Sequence, residues 1–222
     1  RNWLCPFVLV ISSMVFEKEF KEAILNLSIK EKDRLLLRLL KRDIPLANQL
    51  HFELVSTQTV EERRADLETM VVKQVAAMSK SGISIQYLLL KMRSLSGDIT
   101  EQVKITKDKF GEISLNLLML NEIIRSNNSK ITFSIRGKSQ KFAVYVIARA
   151  FKLLVLIQAM HEDYRVDFRE DLETLGGLIE QNELLHKTAI QHGLELDWLL
   201  EGDIPENIKE KQDALRKKGF LK

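Results

Sequence analysis

Apolar residues recur at the spacing of an α-helix along almost all of this chain. In the first such run they fall at positions i, i+4, i+7, i+8 and i+11, which form one helical face: Phe16, Phe20, Ala23, Ile24 and Leu27. The 222 residues include only three prolines and nine glycines, too few for the many turns of an all-β fold. The sequence therefore predicts an all-α protein, folded as an irregular helical bundle.

Short motifs predict where helices begin and end. Residues 28–31 and 59–62 both read Ser/Thr-x-x-Glu, the capping box in which side chains and backbone N–H groups bond reciprocally. Pro45 suits the first turn of a helix, where its missing N–H is not needed. Further along, the Ser-Gly pair at 96–97 predicts a break, followed by a long helix over 98–125.

Two stretches, residues 113–124 and 142–160, are apolar on nearly all sides and are predicted to form the centre of the bundle. The second is as long as a membrane span, but Arg149 and Lys152 lie at its middle. Each would cost about 2.5–3.5 kcal/mol in a bilayer, so a helix buried in a soluble bundle is the better interpretation. Between the two, residues 130–139 are the one place where a short strand or an ordered loop is expected.

The first thirteen residues (RNWLCPFVLVISS) are apolar and contain no acid. A signal peptide is one interpretation, but no small-x-small cleavage site follows, and the run is too short to span a bilayer. We favour the alternative that residues 1–13 are not native, that Met14 is the start, and that residues 14–222 form a single helical domain. Cys5 is the only cysteine, which excludes an internal disulfide and a zinc site built on cysteines. The simplest location is then a reducing cytoplasm.

Basic and acidic side chains are segregated in the second half of the chain. Residues 123–160 contain no acid, and their basic residues are Arg125, Lys130, Arg136, Lys138, Lys141, Arg149 and Lys152. Residues 161–183 are rich in acids, and Asp163, Asp167 and Glu170 have the spacing of one helical face. We expect this face to be solvated or to meet the basic residues. As a Mg²⁺ site it would draw its carboxylates from one helix only, so no metal ligand is assigned.

Three polar residues lie within the predicted central helices. Arg149 is expected to need a partner, because burying an unpaired charge is costly. An ion pair with Glu112 or Glu122 is the first interpretation, and a ligand-binding arginine is the second. Asn116 and Asn121 are expected to form an internal polar network or to line a pocket.

Known catalytic motifs are absent from the sequence. Residues 137–139 read Gly-Lys-Ser, but Thr132 stands where a phosphate-binding loop needs its first glycine. Phosphate contact through Arg136 and Lys138 stays open without that motif. The four histidines lack metal-binding spacing, and neither a nucleophile elbow nor a dinucleotide-binding glycine motif occurs. No cofactor is evident, and catalytic residues are unknown.

From Met14 onward the chain resembles a family of uncharacterised all-helical bacterial proteins. The resemblance rests on residues 31–43, 46–55, 60–68, 99–124 and 204–210. Some members of that family carry an automatically assigned deoxyuridine triphosphate nucleotidohydrolase name. All-α pyrophosphohydrolases bind Mg²⁺ through an ExxE pair and an ExxD pair on separate helices. The matching pairs here are Glu170 and Glu173, Glu180 and Glu183, and Glu210 and Asp213. Such short patterns arise by chance in charged helices, so no catalytic role is carried over.

These observations favour an intracellular protein that binds a protein partner or an anionic ligand, through the acidic helix or through residues 130–141. The candidate binding residues are Arg136, Lys138, Arg149, Asp163, Asp167 and Glu170. The alternative is a Mg²⁺-dependent nucleoside triphosphate pyrophosphohydrolase of the dUTP type. The net charge of +3 and the lack of aromatics among the basic residues argue against nucleic acid, and no membrane span is expected.

Overall fold

The computed structural model describes residues 17–80, 82–133 and 136–221, with only the backbone of residue 136. The described part of the chain is helical and contains no strand, which confirms the predicted all-α class. The helices are α1 (Lys18–Leu25), α2 (Ile29–Leu40), α3 (Ile44–Leu54), α4 (Val60–Met78), α5 (Ile85–Thr106), α6 (Lys109–Phe133), α7 (Arg136–Gln158), α8 (Glu162–Arg165), α9 (Arg169–Gln181), α10 (Glu183–Gln191), α11 (Asp197–Leu200) and α12 (Ile208–Lys217). A 3-10 turn, Val166–Phe168, joins α8 to α9.

Contacts divide the chain into two compact units, residues 1–48 and residues 49–222. In the first unit the description begins at residue 17, so the predictions made for residues 1–13 lie outside the described part. Neither α1 nor α2 contains a buried residue. The capping box predicted at Ser28 is confirmed: its amide N–H donates to Oε2 of Glu31 over 2.9 Å, and the Glu31 N–H donates to its Oγ over 3.4 Å.

The second unit is built around α6, which packs against α4, α5, α7 and α9. Its residues 113–124 and the residues of α7 from Phe142 onward supply much of the buried apolar core. Because α6 has neighbours on several sides, it needs apolar side chains around most of its circumference. The capping box predicted at Thr59, which starts α4, is also confirmed.

The predicted break at residues 96–97 is wrong. Helix α5 runs through both residues, and the buried Ser96 hydroxyl donates to Oδ1 of Asn116 on α6 over 3.2 Å. The chain turns instead at Lys107, whose φ of 60° lies in the left-handed region. Asp108 then accepts the Gly111 N–H at 2.8 Å and so caps the start of α6. The long helix predicted over 98–125 is therefore two helices.

The strand or loop predicted over 130–139 is also wrong for the described residues of that range. Residues 130–133 end α6 and residues 136–139 begin α7. Helix α6 is kinked at Asn127, whose φ of −128° and ψ of 16° are not helical. The Asn127 amide donates to Oγ of Ser79 at 2.8 Å and to the Ile123 carbonyl at 2.9 Å, which holds the kink in place.

Among the described helices, none combines the length and the apolar character needed to cross a membrane. Helix α7 is long enough, but its charged side chains interrupt the apolar run.

Candidate anion-binding site

The acidic segment that follows α7 is not one continuous α-helix. Asp163 lies on α8, Asp167 in the 3-10 turn and Glu170 at the start of α9. All three are exposed, and Asp163 lies 3.2 Å from Nδ1 of His161. The three carboxylates therefore come from three successive elements, and their placement on a single face stays a prediction.

Asp171 is the one half-buried acid in this segment. Burial raises its pKa from the ordinary value of 3.8, and the neighbouring carboxylate of Glu170 raises it further. Its backbone carbonyl accepts a 3.0 Å hydrogen bond from the buried Asn121 amide. Asn121 thus contributes to a polar contact between α6 and α9, while its own Oδ1 has no hydrogen-bond partner among the described residues.

The carboxylate pairs that suggested a Mg²⁺ site are all on the surface. They are Glu170 and Glu173 on α9, Glu180 on α9 with Glu183 on α10, and Glu210 with Asp213 on α12. Within the described residues, no three acidic, histidine or cysteine side chains come together as metal ligands would. The two ExxE pairs and the ExxD pair therefore do not converge in the described part of the chain.

The basic residues suggested as phosphate contacts lie at the start of α7. Lys138 and Lys141 are exposed there, while the side chain of Arg136 lies outside the described atoms. At 1.5 Å per residue, the stretch 138–158 of α7 spans about 30 Å. The acidic segment begins only after the far end of that helix, so these lysines and the acids at 163–170 do not form one site.

The partner predicted for Arg149 is wrong. Glu112 pairs with Lys152 at 2.6 Å, and Glu122 pairs with Arg125, its neighbour on α6. Arg149 is half-buried rather than buried, and its Nε donates to the hydroxyl of Tyr145 over 3.0 Å. Within the described residues it makes no ion pair with a carboxylate.

A second arginine from α5 shares the same aromatic ring. The guanidinium carbons of Arg93 and Arg149 each lie 5.2 Å from the ring centroid of Tyr145. Arg93 is exposed and, within the described residues, also makes no ion pair. Helices α5 and α7 pack together, and this packing brings two unpaired cations of the second unit onto one tyrosine.

The groups next to this cluster are held by a chain of hydrogen bonds. The ammonium of Lys152, one turn along α7 from Arg149, bonds to Oε1 of Glu112. The Glu112 carbonyl accepts from the amide of Asn116 at 2.7 Å, and Oδ1 of Asn116 accepts from Ser96. The charge of Lys152 is therefore paired within the protein, whereas the two arginines have N–H donors without a partner among the described residues.

These arginines have the chemistry of an anion site. A guanidinium offers a planar fork of donors that matches the oxygens of a carboxylate or a phosphate. Contact with the face of a tyrosine ring is favourable for each guanidinium and restricts its position. Nε of Arg149 donates to the Tyr145 hydroxyl, and its two terminal nitrogens make no hydrogen bond to any described residue.

Sequence reasoning singled out Arg149 but missed Arg93 and Tyr145. Tyr145 lies four residues before Arg149, so their contact is readable from helical spacing. Arg93 lies on another helix, and nothing in the sequence relates it to either residue.

Searches of protein-family models, curated proteins and solved structures with this chain find no match.

Proposed function

We propose that this chain acts by binding a small anion, whose phosphate or carboxylate oxygens lie between Arg93 and Arg149. The observation that carries the proposal is the pair of guanidinium groups on one tyrosine ring, neither of them neutralised by a carboxylate of the described chain. Charges removed from solvent are normally paired, so the half-buried Arg149, which has no carboxylate partner in the described chain, favours an external counter-ion. The exposed Arg93 contacts the same ring and offers that anion a second guanidinium.

The local charge supports an anion rather than a cation or a neutral ligand. Lys152 and Glu112 neutralise each other, which leaves Arg93 and Arg149 as the uncompensated charges of the cluster. An anion that accepts from both would replace their mutual repulsion with two charge-assisted contacts. Since Arg149 is already hydrogen-bonded to Tyr145, little side-chain freedom is lost when the ligand binds.

Thermal unfolding in the presence of a panel of anions tests this proposal. The panel contains inorganic phosphate, pyrophosphate, a dicarboxylate, and nucleoside triphosphates with and without Mg²⁺. A ligand that binds only the folded chain stabilises it by about 2.7 kcal/mol at a hundredfold excess over its Kd, so at least one anion should raise the unfolding temperature. Pyrophosphate released from a nucleoside triphosphate in the presence of Mg²⁺ would show that the protein also supports the alternative, hydrolytic activity.

Variants show whether the ligand-induced stabilisation depends on the two arginines. Arg93→Gln and Arg149→Gln should each remove most of the ligand-induced stabilisation, because each removes one of the two charges. Lys138→Gln, at the exposed start of the same helix, is the matched control and should keep it. If no anion shifts the unfolding temperature, or if all three variants respond alike, the proposal is wrong.

A further inference from the structure

Helix α2 and the turn that follows it are strongly basic. Residues 30–42 contain two acids, Glu31 and Asp33. Their basic residues are Lys30, Lys32, Arg34, Arg38, Lys41 and Arg42. Lys30, Arg34 and Arg38 follow one another at i, i+4 and i+8, so they form a basic stripe along the helix.

One of these two acids, Glu31, is already hydrogen-bonded within the protein. Both backbone and side chain of Ser28 donate to the Glu31 carboxylate, and these hydrogen bonds lower the pKa of Glu31 below its ordinary value of 4.5. Within the described residues, none of Lys30, Arg34 and Arg38 forms an ion pair. The charges of these three residues are therefore not neutralised by a carboxylate of the described chain, while the Lys32 ammonium donates to the Leu25 carbonyl over 2.8 Å.

The same helix also exposes large aliphatic side chains. Ile29 is 78% exposed, Leu37 59%, Leu36 51% and Leu39 49%. On a helical wheel, Ile29, Leu36 and Leu39 lie on one side, away from the Arg34 and Arg38 stripe. Only Leu35 and Leu40 are partly covered. An apolar surface of this kind is uncommon on a protein that has no partner for it.

An open cleft of about 310 Å³ lies beside the basic stripe. Its lining combines both characters of the helix, since Arg34 and Arg38 line it together with Leu27, Leu35 and Glu31. The leucines of this cleft are the partly covered Leu27 and Leu35, so the cleft lies on the basic side of α2 and not on the side of Ile29, Leu36 and Leu39.

From this combination we infer that α2 binds the surface of an anionic lipid bilayer, lying in the interface rather than crossing it. A basic helix with exposed leucines is the type of helix that inserts its apolar side between lipid headgroups. Clusters of four to eight lysines and arginines on an amphipathic helix are attracted to anionic lipids. The exposed apolar residues of α2 are all aliphatic, which fits contact with acyl chains, and its excess of basic residues complements anionic headgroups. No helix that crosses the bilayer is required.

Co-sedimentation of the full chain with vesicles tests this inference. We expect sedimentation with vesicles of phosphatidylcholine mixed with phosphatidylglycerol, and little with phosphatidylcholine alone. Binding should weaken when the salt is raised from about 0.01 M to about 1 M, because the Debye length falls from about 30 Å to about 3 Å. Equal sedimentation with both vesicle types, or with neither, would overturn the inference.

Two double variants measure separately how much the basic and the apolar side chains of α2 contribute to vesicle binding. The double change Arg34→Gln and Arg38→Gln removes two charges from the polar side of the helix and should weaken binding, by less than the roughly 30-fold expected for two cations at the bilayer surface. The double change Leu36→Gln and Leu39→Gln should abolish it even at low salt. Both leave the core of the second unit unaltered, which far-UV circular dichroism and the urea midpoint will check.

Exposed residues elsewhere on the chain provide matched controls. Val166→Gln and Ile190→Gln remove apolar side chains that are as exposed as those of α2 and should leave vesicle binding unchanged. Arg93→Gln should also leave it unchanged, so this inference and the anion site can fail separately.

Light scattering of the chain without lipid shows whether a second copy covers α2 instead. A dimer that the Leu36 and Leu39 changes dissociate, together with no vesicle binding, would overturn the lipid inference and assign the surface to self-association.

Discussion

At the scale of single residues, Gly111 lies where the chain turns from α5 into α6. A Cβ at this position would lie 2.2 Å from Oδ2 of Asp108 and 3.1 Å from Nε of Arg64. Asp108 cannot move aside without loss, because both its oxygens hold Arg64, at 2.7 and 2.8 Å. We therefore expect Gly111→Ala to lower the free energy of unfolding by about 1–3 kcal/mol, measured by urea denaturation.

Gly97 provides the control for this change. It lies within α5, and a Cβ there would meet no atom within 4 Å. Gly97→Ala should raise the free energy of unfolding by about 0.5–1 kcal/mol, because alanine favours the helix. If the two alanine variants were equally stable, the steric clash predicted between a Cβ at residue 111 and the Arg64-bound Asp108 would be wrong.

A second residue-scale prediction concerns the buried His192. Its Nδ1 accepts the Leu221 N–H at 3.1 Å, and the ring of Phe220 lies against it. Burial lowers the pKa of His192 below its ordinary value of 6.5, because the charged form is disfavoured there. A protonated Nδ1 would also face the Leu221 N–H donor to donor. The stability that this residue contributes is therefore present above pH 6.5 and is lost as the pH falls through the lowered pKa.

The non-titrating variant His192→Gln tests the direction of this pH dependence of stability. The wild-type urea midpoint should fall from about pH 8 to about pH 5 more than that of the variant, since only the wild type takes up this proton. A fall of the same size in both proteins would contradict the assignment.

Sequence reasoning at the residue scale identified Arg149 but not what it contacts. The expectation of a buried ion pair assumed that α7 is covered on all sides at this position. In the structure Arg149 is only half-buried. Glu112 pairs instead with Lys152, which lies three residues after Arg149 on α7. Which of two cations on one helix reaches a given acid depends on how α6 and α7 are rotated, and this rotation is a property of tertiary packing.

At the scale of elements, the two capping boxes offer a matched pair of variants. Thr59→Ala removes the cap of α4, which contributes buried residues to the core. This change should lower the free energy of unfolding of the second unit by about 1 kcal/mol. Ser28→Ala removes the same kind of cap from α2, which contains no buried residue, and should leave that transition unchanged. Equal shifts of the urea midpoint in the two variants would contradict this difference.

Element boundaries were predictable where a local motif determines them. The capping boxes and Pro45 marked the starts of α2, α4 and α3 because capping is a property of three or four consecutive residues. The Ser-Gly pair at 96–97 predicted a break that the structure does not have. Ser96 is instead buried within α5, where its hydroxyl donates to Asn116 on α6. The true turn at Lys107 contains neither glycine nor proline, and the side chain of Asp108 stabilises the next helix start instead.

At the scale of the whole molecule, the all-α class followed from apolar periodicity and from the shortage of glycine and proline. The positions of the basic and acidic residues relative to one another were not predictable from the sequence. Residues 130–141 and 161–183 are close in sequence, yet the length of α7 separates the basic start from the acids after its end. The arginine pair arises from contact between α5 and α7, two helices separated in sequence by all of α6. Periodicity predicts which faces are apolar, but it does not predict which faces meet.

The anion site is the central functional claim, and nuclear magnetic resonance of the arginine side chains tests it most directly. In a titration of ¹⁵N-labelled protein with pyrophosphate, the Nε–H signals of Arg93 and Arg149 should shift together and saturate with one common Kd. The Nε–H signal of Arg64, which is held by Asp108, should stay in place. If Arg93 and Arg149 stay unchanged across phosphate, pyrophosphate and dicarboxylate, or if Arg64 shifts equally with them, the cluster is not an anion site.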